Sequence, residues 1–200
     1  TFGGRFGGKP RTGRYVFLDF DGVITSAEHG KVHNAIPVED RRDHDYFDPA
    51  CVERVQRLCD LSGAEVVLST SWKHDEYVSD AVDEHPPVTP QKLQYLRNLL
   101  REAGLTAEVV GATPNISRCR RGRAIALWME RYGGVTLDKI VVLDDLPASY
   151  LTREYTPGQG KRVHFFRPVA SRLVHTKTED GFTERDLAKA LRKFGIRPGG

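Results

Sequence analysis

Five short apolar segments divide the chain, and helix-like stretches separate most of them. The segments are residues 15–20, 65–70, 107–111, 139–144 and 162–166. Apolar runs of this length between polar stretches are typical of buried strands. Strands that alternate with helices predict an α/β fold, here a Rossmann-like three-layer α/β/α domain around a mostly parallel five-stranded sheet.

Three of the intervening stretches carry helix signals. Residues 48–49 and 89–90 read Asp-Pro and Thr-Pro, an N-cap residue followed by proline at the first helical position. Gly63 and Gly104 stand where the apolar periodicity of these two stretches stops, as C-terminal glycines do. Residues 122–132 repeat the helical spacing and predict a third helix.

One connection is longer than the rest and has a different composition. Residues 22–47 are rich in His, Arg and Asp and directly follow the first apolar segment. A long polar connection beside a strand end predicts a short functional flap, with a solvated loop as the alternative. His29 and His33 are four residues apart, but Gly30 between them weakens a helical metal site.

The first fourteen residues differ from the rest in charge. Residues 1–14 carry four cations, five glycines and no acid. Such a segment cannot bury enough apolar surface to order itself, so we predict a flexible arm followed by a single domain over residues 15–197. A solvated tail is favoured over an arm that contacts phosphate backbones.

Cysteine usage and hydropathy limit the cellular compartments that the sequence suggests. Cys51, Cys59 and Cys119 are an odd number without metal-ligand spacing, which favours a reducing, cytoplasmic location and no disulfide-linked partner. No apolar run reaches the roughly 18 residues that span a membrane, and no signal-peptide pattern opens the chain. The net charge of +3 does not by itself argue for nucleic acid.

The first apolar segment ends on two acids. Residues 16–23 read VFLDFDGV, so Asp19 and Asp21 project to the same side of an extended chain, and Gly22 permits a sharp turn. Two carboxylates this close share a proton or are held by a cation. The pattern suits metal-assisted chemistry with one acid as nucleophile and one as proton shuttle, although a solvated strand end also fits.

Other strand ends deliver complementary groups. The second segment ends at Thr70, which Ser71 and Lys73 follow, and the fourth ends at Asp144 and Asp145. In parallel sheets these carboxyl ends meet, and an all-oxygen carboxylate site suits Mg²⁺. The sequence therefore predicts phosphoryl transfer to Asp19, followed by hydrolysis of the acyl phosphate.

The order DxDGV, strand-end Thr, basic residue and DD resembles the haloacid dehalogenase (HAD) superfamily of phosphohydrolases. The resemblance implies Asp19 as nucleophile, Asp21 as general acid/base and Thr70 as a phosphate ligand. It further implies a Mg²⁺ site at Asp19, the main-chain carbonyl of Asp21 and Asp145, with Asp144 in support. LDDLPASY is similar to an element of small C-terminal-domain phosphatases, which favours Asp145 over Asp144 as the direct ligand.

The family's third motif usually supplies a lysine, and here the best-aligned residue is Arg121. Arg118, Arg123 and Lys92 remain alternatives for that cation. Ser71 joins Thr70 and Arg121 as an expected phosphate-binding residue. Lys73, Arg118 and Arg123 are expected substrate contacts.

The resemblance also bears on the substrate. The TSWK and RGRAIALWMERY elements are similar to small HAD domains grouped with RNA-repair proteins and to the phosphatase half of polynucleotide kinase-phosphatase. The insertion after Asp21 leaves no room for a full lid, so we expect a minimal cap and a nucleotide or nucleic-acid end as substrate. Alternatives are a phosphoprotein or small-metabolite phosphatase, a phosphomutase, or a non-catalytic phosphate-binding module. A receiver domain is disfavoured because the third segment offers no aspartate at its end.

Overall fold

The computed structural model describes residues 13–74, 87–115, 121–132, 135–152 and 167–197. Their centre is an all-parallel sheet of five strands in the order β3-β2-β1-β4-β5. In chain order the strands are β1 (Tyr15–Leu18), β2 (Glu65–Leu68), β3 (Val109–Ala112), β4 (Ile140–Asp144) and β5 (Leu173–His175). The predicted α/β class with a parallel five-stranded sheet is confirmed.

Helices connect and cover these strands. In chain order they are α1 (Ala27–Ala35), α2 (Pro49–Ser62), α3 (Pro90–Glu102), α4 (Arg121–Arg131), α5 (Ala148–Thr152), α6 (Arg167–Ala170) and α7 (Glu184–Lys193). Within the described ranges, no helix combines the length and the apolar character that crossing a membrane requires.

The core lies on both faces of the sheet, because alternate side chains of each strand point to opposite sides. On one face Val16 and Leu18 of β1 pack with α2, α3 and α7. On the other, Phe17 packs with Ile125 and Trp128 of α4 and with α5 and α6. This gives the three layers that the sequence predicts.

The direction in which successive strands are added to the sheet reverses at β1. This reversal determines where a ligand site can form. Leu18 is in register with Leu68 of β2 on one side and with Leu143 of β4 on the other. The amide of Asp19 continues the ladder by donating to the carbonyl of Leu143 at 3.1 Å. Residues that follow β1, β2 and β4 therefore meet in the crevice where open α/β sheets bind ligands.

The predicted helix boundaries hold where they rest on capping chemistry. Asp48 caps α2 by accepting from the amides of Ala50 and Cys51, and Gly63 ends it in the left-handed conformation at φ +65°. Thr89 caps α3, which ends two residues before Gly104. These caps satisfy amides and carbonyls that a helix terminus leaves unpaired.

Other parts of the chain differ from the sequence-based expectation. The segment 162–166 lies outside the described residues, and the fifth strand of the sheet is Leu173–His175, which the apolar pattern did not identify. Within residues 22–47 the chain forms α1 and two short 3₁₀ helices, Val38–Asp40 and Asp43–Tyr46. Ser26 caps α1 through the amide of His29, so a local hydrogen bond outweighs the glycine inside that helix.

Most of the predicted N-terminal arm, residues 1–12, lies outside the described residues. Arg14, at its end, donates to the carbonyl of Ser62 at 3.0 Å, and its guanidinium lies 5.8 Å from the ring centre of Phe194. Cys51 and Cys59 are buried free thiols, and Cys119 lies outside the described residues.

Candidate active site

Asp19 is held at the bottom of the crevice, directly after the central strand. The residue is only 3% exposed, and its Oδ1 accepts from the amide of Phe20 at 2.8 Å. Burial raises the pKa of this carboxyl, and the charge of Arg121 opposes that shift. The carboxylate is thus fixed in direction by the main chain and depends on a cation to stay ionised.

Arg121 supplies that cation. Its Nη1 donates to Oδ2 of Asp19 and, at 2.6 Å, to Oδ2 of Asp144. The three side chains are 10%, 5% and 0% exposed respectively. The two carboxylates raise the pKa of Arg121, which stays protonated, whereas burial raises the pKa of Asp144 to about 7. Arg121 starts α4, so the helix aims a cation at the end of β1.

Three carboxylates lie close enough to hold a metal ion. One oxygen from each of Asp19, Asp144 and Asp145 lies within 4.8 Å of the others. The amide of Leu146 donates to Asp144 at 2.9 Å, and the hydroxyl of Thr178 donates to Asp145 at 2.8 Å, which orients both side chains. An all-carboxylate donor set fits a hard cation such as Mg²⁺.

Gly22 lets the chain pass against this cluster. Its φ is +66°, and a Cβ at this position would lie 2.5 Å from Oδ2 of Asp145. The turn is fixed from both sides, because the Gly22 amide donates to Thr25 Oγ1 at 3.0 Å and the Thr176 hydroxyl donates to the Gly22 carbonyl at 2.7 Å. Only glycine meets both the conformational and the steric requirement here.

Asp21 lies apart from the three clustered carboxylates and faces the indole of Trp72. Trp72 Nε1 is 3.2 Å from both carboxylate oxygens of Asp21. The indole itself packs edge-on to Phe20 at 5.6 Å and lies against Tyr46 at 5.5 Å between ring centres. The aromatic contacts fix the indole, and the indole in turn directs the carboxylate of Asp21.

The groups that follow β2 have two kinds of environment. Thr70 is 1% exposed, and its hydroxyl caps the 3₁₀ turn Ser71–Lys73 by accepting from the amide of Trp72. Ser71 is partly exposed beside it. Lys73 is 5% exposed, and its ammonium donates to Thr113, at both the hydroxyl and the carbonyl, and to the carbonyl of Pro114.

The hydrogen bonds of the Lys73 ammonium link the end of β2 to the end of β3. They use the three N–H donors that an ammonium group has. Burial, followed by the charge of Arg121, lowers the pKa of Lys73 to about 7. In this structure the Lys73 ammonium is packed against the end of β3, and its contact with substrate stays a prediction.

Of the alternative cations for motif three, Lys92 and Arg123 are described by the structure. Lys92 lies on α3, with its ammonium 5.5 Å from the ring centre of Tyr95. Arg123 is half-buried on α4, one half-turn beyond Arg121. Arg118 lies outside the described residues. Among the candidates in the described part of the chain, Arg121 is the one with a recorded contact to Asp19.

A comparison with protein-family models decides the family. The model for the HAD domain in Swiss Army Knife RNA repair proteins matches residues 15–187. The chain belongs to this family. Searches of curated proteins and of solved structures give no significant match. The match spans every strand of this HAD domain and every side chain assigned to the crevice above.

Sequence reasoning missed the groups that orient the acids of this HAD domain. Trp72 belongs to the TSWK element, but the local sequence assigns no role to its indole. The sequence also carries no sign of the role of His175, whose Nε2 lies 2.8 Å from the carbonyl of Asp145. His175 is the last residue of β5, the strand that the apolar pattern did not identify. Both contacts join residues far apart in the chain, and local sequence carries no signal for such pairings.

Proposed function

We propose that this HAD domain is a Mg²⁺-dependent phosphomonoesterase that acts through a phosphoryl group on Asp19. The observation that carries the proposal is the position of Asp19: its carboxylate contacts Arg121 and belongs to the cluster with Asp144 and Asp145. A buried, oriented carboxylate beside a cation and a metal-binding set is suited to attack on a phosphate ester.

The chain's own residues divide the reaction between them. Asp19 attacks the phosphorus, forming a phosphorus–oxygen bond to its carboxylate as the ester oxygen leaves. Asp21, directed by Trp72, protonates the leaving oxygen and then takes a proton from the water that attacks the acyl phosphate. That second attack releases inorganic phosphate and restores the carboxylate of Asp19.

Charge neutralisation comes from two sources. Arg121 offsets negative charge next to the nucleophile, and its guanidinium stays protonated at any working pH. Asp19, Asp144 and Asp145 would hold Mg²⁺, which supplies Lewis-acid stabilisation of phosphate charge when bound. We expect the hydroxyl of Thr70 and the main chain of the following turn to orient phosphate oxygens.

We further propose that the substrate is the terminal phosphate of a nucleic acid or a nucleotide. The family is described by its occurrence in RNA repair proteins, which makes the end phosphate of an RNA strand a suitable candidate substrate. The basic N-terminal sequence and the arginines around Arg121 are compatible with an anionic polymer.

The experiment is a phosphate-release assay with matched substrates. RNA oligonucleotides with a 3′-phosphate or a 5′-phosphate, mononucleotides, sugar phosphates and a phosphopeptide are compared with and without Mg²⁺. We expect release from the oligonucleotides or mononucleotides in the presence of Mg²⁺, and none after chelation. Preference for the phosphopeptide or a sugar phosphate would assign the site to another substrate class.

Isosteric variants separate catalysis from binding. Asp19→Asn and Asp21→Asn should each abolish turnover while the fold, followed by circular dichroism, is retained. Wild-type turnover in Asp19→Asn would refute the assignment of the nucleophile. If no substrate releases phosphate but phosphorylated oligonucleotides bind, the domain is a phosphate-binding module.

A further inference from the structure

A cavity of about 630 Å³ runs along the outer edge of the sheet, away from the carboxylate cluster. The strand β3 forms its floor, and α4 forms one wall. The described residues that line it include two arginines, Arg123 and Arg131, and no carboxylate. The groove is thus polar and positive on one side and apolar along its floor.

An aromatic pair stands in this groove. Tyr132 stacks on Trp128, with ring centres 4.2 Å apart and planes 19° from parallel. Trp128 is 2% exposed, whereas Tyr132 is 54% exposed. Trp128 also packs edge-on against Tyr15 and Phe17, which fixes its position. The accessible ring of Tyr132 therefore stacks on a buried, well-packed indole.

Beneath this aromatic pair lies Gly111 of β3, which is buried. A Cβ at Gly111 would lie 3.6 Å from the Tyr132 hydroxyl and 3.8 Å from Trp128 Nε1, in van der Waals contact with both rings. Any larger side chain at Gly111 would occupy the space beside the ring pair. The glycine therefore allows the ring pair to pack closely on β3, and the accessible surface of the groove is the outer side of Tyr132.

The groove leads to the carboxylate site along two elements. Thr113, which follows β3, lines it and also accepts from Lys73, which follows β2, the neighbour of the strand that leads to Asp19. On the other wall, α4 begins at Arg121, which contacts Asp19. Tyr132 follows Arg121 by eleven positions, about 16 Å along a helix, which exceeds the reach of a single phosphate group.

We infer that this groove binds the strand of a single-stranded RNA next to the end phosphate, with a base stacked on Tyr132 and backbone phosphates near Arg123 and Arg131. Aromatic platforms beside cations bind single strands because every base has a π-face and every linkage a charge. The inference rests on the proposed function, since it places the rest of that substrate.

The test measures binding of an RNA that cannot be turned over. A fluorescent single-stranded RNA with hydroxyl ends is titrated with the full protein by fluorescence anisotropy. Tyr132→Leu should weaken binding roughly tenfold, because loss of base stacking on one aromatic is worth about 1–3 kcal/mol. Tyr132→Phe should bind as wild type, and Tyr95→Leu, an exposed tyrosine of α3 outside the groove, is the matched control.

Salt dependence tests the charged wall independently. Arg131→Gln should reduce the slope of log affinity against log salt by about 0.7 for a single strand. Arg185→Gln, an exposed arginine of α7 that packs on the opposite side of the core, should leave the slope unchanged. Circular dichroism on each variant checks that the fold is kept.

The outcomes separate this inference from the phosphatase proposal. Wild-type affinity in Tyr132→Leu, or no RNA binding by the wild type, would overturn the groove even if phosphate release is observed. Stacking-dependent RNA binding by a protein that releases no phosphate would support the groove and reject the phosphatase. If Tyr132→Leu weakens binding of a phosphopeptide but not of RNA, the groove recognises protein instead.

Discussion

Removal of the Arg121 guanidinium tests the electrostatics of the crevice most directly. In Arg121→Met the side chain keeps similar length, but Asp19 and Asp144 lose the cation that contacts both. Both carboxylates are at most 5% exposed, so water cannot replace the lost contact. Loss of one partner of a buried ion pair typically costs about 3–5 kcal/mol because an uncompensated charge remains.

The loss should depend on pH in a defined direction. Burial raises the pKa of Asp144 to about 7, and the charge of Arg121 holds it down, so the variant should have a still higher value. Above the unfolded value of 3.8, the folded state then binds more protons than the unfolded state, and stability falls as pH rises through this window. The wild type shares this fall up to about pH 7, so the loss relative to wild type should be small near pH 5 and should grow above pH 7, where only the variant still holds the proton.

Urea unfolding at the two pH values measures this loss. With a slope of about 2 kcal/mol per molar urea, a loss of 4 kcal/mol moves the midpoint by about 2 M. Mg²⁺ should restore more stability to Arg121→Met than to wild type, because an ion in the carboxylate cluster replaces the missing charge. Arg131→Met, an exposed position of the same helix, is the control; equal losses for both variants at both pH values would refute the reasoning.

Two further changes test how the acids are oriented. Trp72→Phe removes the indole N–H that donates to Asp21, and a hydrogen bond of this kind contributes about 1.5–3 kcal/mol. We therefore expect kcat for release of the end phosphate to fall roughly tenfold or more, with little change in KM. An unchanged kcat would mean that Asp21 does not need the indole. Gly22→Ala forces a methyl to within 2.5 Å of Asp145 at a φ of +66°, so it should destabilise the fold by about 1–2 kcal/mol and weaken the Mg²⁺-induced rise in Tm. Gly104→Ala, at a φ of +101° with open space around it, should lower stability without altering the metal response, and the same metal response in both variants would contradict the steric account.

The sequence predicted well where one short segment determines the result. β1 is buried on both faces, and the continuous apolar run before Asp19 therefore identifies it as a buried strand. Asp48 and Gly63 bound α2 through local hydrogen bonds and backbone conformation, which depend only on nearby residues. Parallel strands then bring their ends to one edge, and Asp19 and Asp144 meet there as expected.

The sequence failed where partners are distant in the chain. Strand β5 has three residues and lies at the sheet's edge, so its hydropathy differs little from that of a loop. Helix α1 buries no residue and contains Gly30, so neither periodicity nor propensity reveals it. The bond from Trp72 to Asp21 joins residues 51 positions apart, and only the folded sheet brings them together.

The two cations near Asp19, Lys73 and Arg121, have different surroundings and therefore different charge states. Lys73 is buried among Thr113 and Pro114, and its pKa of about 7 means that it is only partly charged at neutral pH. The charge of Arg121 contributes to that lowered pKa, because two nearby positive charges repel each other. A guanidinium stays charged under these conditions, because its own pKa is far higher and the contacts to Asp19 and Asp144 raise it further. Permanent positive charge next to Asp19 therefore comes from Arg121, while Lys73 links the ends of β2 and β3.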